Sequence, residues 1–433
     1  MKLVVIGSGP AGVVASLTVK TLQPRANVTV IGRDPVFVRC SAPYILAGKV
    51  DMEKCIEPDR ILTERGIRVV RDEATEITKG HVKTASGKSF SFDHMIIATG
   101  ARPIVPPIRG ADKSNVFVIR GPKDVNSLNC QLSKPKNVVI IGGGMIGTEI
   151  AALLSERHKI SIVEMLPRVL SASYDSEVTD NVENELKKMG VKLFLGTKVK
   201  SINGKTRAET VSVGNRDLNA DIVIISAGII PETDIAKKAG IKICKFGIKT
   251  NRYMETSMKN IYAVGDCAQT FSAIKNKKTG SGLANTAVLQ AKIAGMNIAG
   301  KTSVFRGTVN ASTTQISDLS LGSVGLTEQQ ARSENMKCKC GKSHTMTKYD
   351  MQPGARPLFT KLVFDSKERI IGGQVMGSGG IVPGIVDLLS FAIKRGCLAD
   401  DLMMTSYSAH PELTSLPFAN PVVMACEDMK CSD

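Results

Sequence analysis

The sequence predicts an α/β protein made of two Rossmann-like dinucleotide-binding domains and a C-terminal α+β domain. Two observations carry the first part. The glycine fingerprint Gly7-Ser8-Gly9-Pro10-Ala11-Gly12 follows the apolar run Lys2-Leu3-Val4-Val5-Ile6, and a second, Gly142-Gly143-Gly144-Met145-Ile146-Gly147, follows Asn137-Val138-Val139-Ile140-Ile141. The third observation is that past residue 300 no fingerprint recurs, and strand-like runs lead into a helical pattern. At 433 residues the chain is long enough for two or three separate cores.

Each fingerprint has a mechanical reading. One glycine makes the strand-to-helix turn, the next lets the backbone approach a pyrophosphate, and the third lets the helix pack on its strand. The helix N-terminus then faces the phosphate charge. A lone motif of this kind is weak, because tight glycine turns also occur without ligands. Two of them, both between a strand and a helix, point to a protein that holds two dinucleotides, most economically a flavin and a nicotinamide.

The remaining elements follow in order. A strand at Val28-Thr29-Val30-Ile31 continues the first domain, and Phe92 to Ala98 reads as another strand that turns at Thr99-Gly100. The proline-rich stretch Pro103 to Pro107 punctuates the boundary. In the second domain the strand Ile160-Ser161-Ile162-Val163 ends at Glu164, and the run Asp221 to Ile225 leads into Ser226-Ala227-Gly228. The chain then carries Ile261-Tyr262-Ala263-Val264-Gly265-Asp266 and a helical pattern from Gly282 to Ala299. Strand-like runs at Lys361 to Phe364 and Ile370 to Val375, and a helix around Ile385 to Arg395, mark the last domain. The expected boundaries are 1–111 with 244–300 for the first domain, 112–243 for the second and 301–433 for the third.

Composition narrows the function. No apolar run is long enough to span a bilayer, and the apolar N-terminus is explained by the fingerprint inside it rather than by a signal peptide, so a cytoplasmic location is expected. Ten cysteines in a chain of this length do not form a secreted disulfide framework; they read as redox, metal-binding or buried thiols. The net charge of +17 fits a solvated basic surface or a small anionic substrate. Nucleic acid is disfavoured, since the basic runs have little aromatic interleaving.

With Ala98-Thr99-Gly100, Gly142 to Glu149 and Val264-Gly265-Asp266-Cys267-Ala268 in this order, the chain resembles the FAD-dependent pyridine nucleotide-disulfide oxidoreductases. Within them it is most similar to the coenzyme A-disulfide reductase and NADH oxidase branch. The resemblance implies that Gly7, Gly9, Pro10, Ala11 and Gly12 take the FAD pyrophosphate and that Asp266, after Gly265, binds the ribityl chain. Leu283 and Ala284 would open a helix beside the flavin ring, with Thr99, Gly100 and Gly228 also lining cofactor sites. Gly142, Gly144, Met145, Ile146 and Gly147 would take NADH or NADPH, with Glu149 near its reacting end. Glu164 would bond the adenosine ribose and repel a 2′-phosphate, favouring NADH, although Arg168 lies nearby. One departure is Gly32, where the family usually ends the strand on an acidic residue; Asp34 is the substitute expected to reach the ribose.

The resemblance also gives sulfur chemistry. Cys40-Ser41-Ala42-Pro43-Tyr44 matches the single-cysteine motif Cys-Gly-x-Pro-Tyr, with Ser41 in place of glycine. A lone cysteine beside a flavin stores oxidising equivalents as a mixed disulfide or a sulfenic acid. His410-Pro411-Glu412-Leu413-Thr414-Ser415 is similar to the His-Pro-x-Leu-Ser-Glu element of two-cysteine relatives, whose histidine reaches across a homodimer as proton donor. Cys338, Cys340, Cys426 and Cys431 read as ligands of a 4Fe–4S cluster or zinc, as a terminal dithiol relay, or as incidental thiols. The function expected is NAD(P)H-driven reduction of a small anionic disulfide or polysulfide through Cys40, with His410 or Tyr44 supplying a proton. The alternatives are an NADH oxidase or peroxidase cycling Cys40 through sulfenic acid, and an electron-transfer flavoprotein using the cluster.

Overall fold

Short strands that are apolar along their whole length need cover on both faces, and the chain supplies it with helices on one side and small meanders on the other. A computed structural model describes residues 1–431 and divides into two units. The first comprises Met1–Ile104, Ile119–Cys130 and Gly228–Thr308; the second holds Val105–Val118, Gln131–Ala227 and the chain from Val309 on.

In the first unit five parallel strands run in the order Ile261–Ala263, His94–Ile97, Lys2–Ile6, Asn27–Ile31, Arg68–Val70. Their side chains alternate between two cores, as the two-residue period of a strand requires. Leu3 and Val5 pack with the helices Pro10–Leu22 and Ala284–Ile298, while Val4 and Ile6 join Ile77 and Val82 of a three-stranded meander. The two helices approach closely: a Cβ on Gly295 would stand 2.8 Å from the Thr18 side chain.

The second unit repeats this plan. Its parallel strands run Val116–Val118, Ile222–Ile225, Asn137–Ile141, Lys159–Val163, Lys192–Phe194. It continues into an antiparallel sheet ordered Ser312–Ile316, Leu319–Gly325, Ile370–Gly377, Pro357–Asp365, Cys338–Met346. Gly341, Leu362 and Gly373 lie opposite one another and so share a face. The helices Pro421–Cys431 and Ile381–Arg395 cover it; a Cβ on Gly341 would lie 1.8 Å from the Ala425 carbonyl oxygen, and one on Gly373 2.7 Å from Leu389. Lys342, Lys361 and Gln374 share the opposite face. The strand Cys338–Met346 is not evident from the sequence, because half its residues are polar. Among the described residues no helix is long and apolar enough to cross a membrane.

Candidate active site

Both glycine cradles test the fingerprint reading atom by atom. Gly7 turns at φ +112°, and a Cβ there would sit 2.1 Å from the Ala98 carbonyl oxygen; Gly142 does the same at φ +114°, 2.3 Å from that of Ser226. Cβ atoms on Gly12 and Gly147 would lie 1.9 and 2.1 Å from the carbonyl oxygens of Gly7 and Gly142. Those four positions therefore need glycine for the turn and the helix packing. Gly9 and Gly144 differ, with nothing within 4 Å of a Cβ. Packing does not demand glycine there, and open space over the backbone suits a pyrophosphate. The helices beginning at Pro10 and Met145 carry no side-chain cap, which leaves their first N–H groups facing that space. These residues fit FAD and NAD(P)H.

Around the first cradle the chain gathers charge. Asp266 lies in the one-turn helix Gly265–Cys267, where the Gly265 N–H donates to Gln290 at 2.8 Å. Its carboxylate pairs with Arg120 at 3.0 Å, both side chains largely buried. Arg120 also lies over Gly100, 3.3 Å from where a Cβ would be, and the Thr99 hydroxyl donates to the Glu232 carbonyl at 2.6 Å. Leu283 is the N-cap residue of the helix that opens at Ala284. Gly228 turns at φ +102° and accepts from Ile104 N at 2.9 Å.

Cys40 is exposed in the turn Arg39–Ser41, which leads into the short helix Ala42–Leu46 carrying a half-buried Tyr44. The Arg39 guanidinium faces Arg120, Asp266, Cys40 and Asp34. Desolvation, and then repulsion from Arg120, lower its pKa against the opposite pull of the carboxylates and the thiol. The structure thus brings Cys40, Asp266 and Asp34 into one neighbourhood with two arginines that the sequence did not single out. A basic residue directly before the cysteine was the available signal for Arg39; Arg120 had none.

In the second unit Glu164 is buried, and its two carboxylate oxygens accept from Gly143 N at 2.6 Å and Leu166 N at 2.8 Å. Arg168 is held by Asp180 instead. Glu149 accepts from the Thr314 hydroxyl at 2.5 Å, and burial raises its pKa. His410 is exposed, and its Nδ1 accepts from Glu412 N at 3.2 Å. Ser415, at the position of the family's orienting glutamate, donates to the Met346 carbonyl at 2.5 Å instead.

The proposed metal ligands Cys338, Cys340, Cys426 and Cys431 are corrected: among the described residues no group of three or more His, Cys, Asp or Glu side chains can hold a metal ion. Cys338 and Cys340 share one strand face, where Cys340 lies near Glu328 and Lys361; Cys426 lies near Glu427, Lys430 and Asp400. Burial pushes the thiols of Cys340 and Cys426 up to about 12, which disfavours either as a relay nucleophile. Five residues along a helix turn the side chain by about 140°, which directs Cys431 away from Cys426.

Comparison with known proteins agrees with this geometry. The sequence matches the family described as pyridine nucleotide-disulphide oxidoreductase over residues 1–291, and that family's dimerisation domain over 311–417. It is 34% identical over 442 residues to an "NAD(P)H sulfur oxidoreductase (CoA-dependent)" of Pyrococcus furiosus, covering 99% of each chain. It is 32% identical over 443 residues to an "NADH oxidase" of Methanocaldococcus jannaschii, covering 99% of this chain and 98% of that one. The solved NAD-dependent persulfide reductase from A. fulgidus superposes with a TM-score of 0.94 at 29% identity, over 99% of this chain and 82% of that one.

Proposed function

Since the chain belongs to the pyridine nucleotide-disulphide oxidoreductase family, we propose that it is an NAD(P)H-dependent flavoprotein that reduces a small anionic disulfide, persulfide or polysulfide at Cys40. The observation that carries this reading is the exposed Cys40 in its turn, next to Arg39, whose guanidinium also faces Arg120 and Asp266, with an open phosphate cradle in the same unit. FAD, when bound, supplies the relay of an electron pair from nicotinamide to sulfur. Residues 1–111 with 244–300 are taken as its domain, 112–243 as the NAD(P)H domain and 301–433 as the dimerisation domain.

The chain's own residues then divide the work. Gly7, Gly9, Pro10, Ala11 and Gly12 hold the FAD pyrophosphate, and Thr99, Gly100, Gly265, Leu283 and Ala284 border the flavin. Asp266 bonds the ribityl hydroxyls, with Arg120 fixing its carboxylate. Gly142, Gly144, Met145, Ile146 and Gly147 hold the nicotinamide dinucleotide. Glu164, oriented by two backbone N–H groups, faces the ribose diol and disfavours a 2′-phosphate, so NADH is preferred.

Cys40 rests as a mixed disulfide with a small thiol. An electron pair delivered to it breaks that S–S bond, releasing the small thiolate and leaving Cys40 as thiolate. This attacks the incoming disulfide, re-forms the mixed disulfide and expels the second thiolate. Tyr44, one turn after Cys40, or His410 from a partner subunit supplies a proton to each leaving sulfur. The arginines draw anionic thiols toward the site.

A homodimer formed through the C-terminal domain accords with the exposed apolar side chains Phe391, Met404 and Leu413 in the segment matched by the dimerisation domain. Ten free cysteines accord with a reducing, cytoplasmic setting. The relatives named as NADH oxidases favour a second reading, in which Cys40 cycles through sulfenic acid. Anaerobic NADH oxidation with coenzyme A disulfide or polysulfide, set against oxygen consumption without them, separates the two. Turnover that requires oxygen and ignores the sulfur acceptors defeats the first.

A further inference from the structure

The two cradles differ at one pair of positions, and the difference is an exchange. In the second unit the residue after the first glycine is Gly143, and the residue ending the neighbouring strand is Glu164. A Cβ on Gly143 would stand 3.3 Å from the Glu164 side chain and 3.1 Å from Val169, so the glycine leaves room for the carboxylate. In the first unit the same two places hold Ser8 and Gly32. There a Cβ on Gly32 would fall 2.4 Å from Ser8 Oγ, 2.7 Å from Ser8 Cβ and 3.0 Å from Ser8 N. Real Cβ atoms do not approach that closely. Ser8 fills the space that a side chain at position 32 would use, whereas a Cβ at position 143 would be only a tight fit against Glu164.

The space is also wired differently. Ser8 Oγ donates to the Asp34 carbonyl at 2.7 Å. Arg71 Nη1 donates to the same carbonyl at 2.5 Å and reaches Ser8 Oγ and the Gly32 carbonyl at 3.4 Å each. The rest of its guanidinium is held by Asp59, with Nε donating at 3.2 Å. Where the second unit presents a carboxylate, the first presents a braced guanidinium beside a hydroxyl whose one proton is already donated.

On the reading that the first cradle holds FAD, we propose that Ser8, Gly32 and Arg71 form its adenosine-ribose end. Arg71 donates to the ribose oxygens and Ser8 Oγ, its own proton held by the Asp34 carbonyl, accepts through a lone pair, in place of the carboxylate that accepts from the ribose hydroxyls in the second cradle. Gly32 is then a required partner of Ser8 rather than a lost anchor. Arg71 positions the strand-end turn and supplies its unused N–H groups to the ribose.

The test is a cycle of substitutions read by flavin binding, independent of turnover. The full-length protein is stripped of flavin, and FAD and FMN affinities are measured by fluorescence quenching. Gly32→Glu alone is expected to weaken FAD at least about tenfold, because its side chain meets Ser8. Ser8→Gly with Gly32→Glu is expected to restore FAD affinity to within about threefold of the parent, the carboxylate then having its glycine. Arg71→Met is expected to weaken FAD about tenfold. In all three, FMN affinity stays unchanged, since FMN lacks the adenosine; that control separates a local effect from misfolding. Equal FAD affinity in parent and Gly32→Glu, or no recovery in the double variant, overturns the exchange. Unchanged affinity in Arg71→Met overturns the role of Arg71. A parent protein that takes up no FAD overturns instead the functional reading on which the proposal rests.

Discussion

Each unit gathers charge at one place, and the two gatherings are built to opposite ends. In the second unit Lys361, only 2% exposed, binds three carboxylates: Asp175 at 3.1 Å, Glu177 at 2.9 Å and Glu328 at 2.8 Å. Lys342 adds a second cation to Glu177 at 2.8 Å and Arg332 one to Glu328 at 2.6 Å. Asp175 also accepts from Gln374 at 2.6 Å and from the N–H groups of Glu328 and Gln329. Three cations meet three anions, with hydrogen bonds on the spare lone pairs. That circuit is closed; its job is to pin the loop at Asp175 to the polar face of the C-terminal sheet. In the first unit Arg39, Arg120, Asp266 and Asp34 also balance, but an exposed thiol stands at their edge. Ionising that thiol changes the charge of the set. A satisfied circuit is structural, and a balanced one with a nucleophile at its rim is reactive.

The comparison breaks first at the sulfur. Cys40→Ser should lower disulfide reduction by roughly a thousandfold or more, while flavin stays bound at parent stoichiometry, because no other described thiol has the same neighbours. Retained reduction would move the chemistry elsewhere. Next comes Lys361→Met, which leaves the buried Asp175 without a cation and takes one of two from Glu177 and from Glu328; it should cost about 3–5 kcal/mol of stability, read as a fall in the thermal or denaturant midpoint. A change under 1 kcal/mol would mean that the circuit contributes little. Acid sharpens the same point. The carboxyls of Glu177 and Glu328 are held down to about 2, through hydrogen bonds and attraction from Lys361, Lys342 and Arg332 that outweigh the opposing effect of burial. A carboxyl whose folded pKa is depressed stabilises fully above its unfolded value, near 4.3, and loses that stabilisation as pH falls through the folded one. Acid unfolding of the parent should therefore steepen between about pH 4.5 and 2, and that component should shrink in Lys361→Met.

These examples mark what the sequence could carry. The fingerprints and the apolar strands are local, so Gly7 to Gly12 and Gly142 to Gly147 announced both cradles and the parallel order around them. Lys361 announced nothing, since its partners lie far back in the chain at 175, 177 and 328, and a lysine in a strand reads as exposed. Gly32 looked like a missing anchor because the atom that explains it belongs to Ser8, on another strand's turn. The terminal cysteines misled for the converse reason: count and spacing suggested a ligand set, but side-chain direction on a strand and a helix decides whether thiols meet. Cys338–Met346 was hidden as a strand because its covered face carries Gly341, Ser343 and Thr345, which are buried without being apolar.

The smallest expected effect isolates what Arg39 adds. If the arginines attract anions to Cys40, alkylation by iodoacetate should be favoured over alkylation by neutral iodoacetamide. The ratio of the two rates cancels the fraction of thiolate, so it reports the local field alone. Arg39→Gln removes one charge next to the sulfur at a partly solvated site, where one unit charge a few ångströms away is worth on the order of 1 kcal/mol. The ratio should therefore fall about fivefold, and the difference should fade as salt is raised toward 1 M, where screening acts within about 3 Å. A ratio that ignores both the substitution and the salt would mean that Asp34 and Asp266 already neutralise Arg39 at the sulfur, leaving Arg120 to Asp266 alone. The rim of the cluster would then be no more polar to an incoming anion than the closed circuit around Lys361.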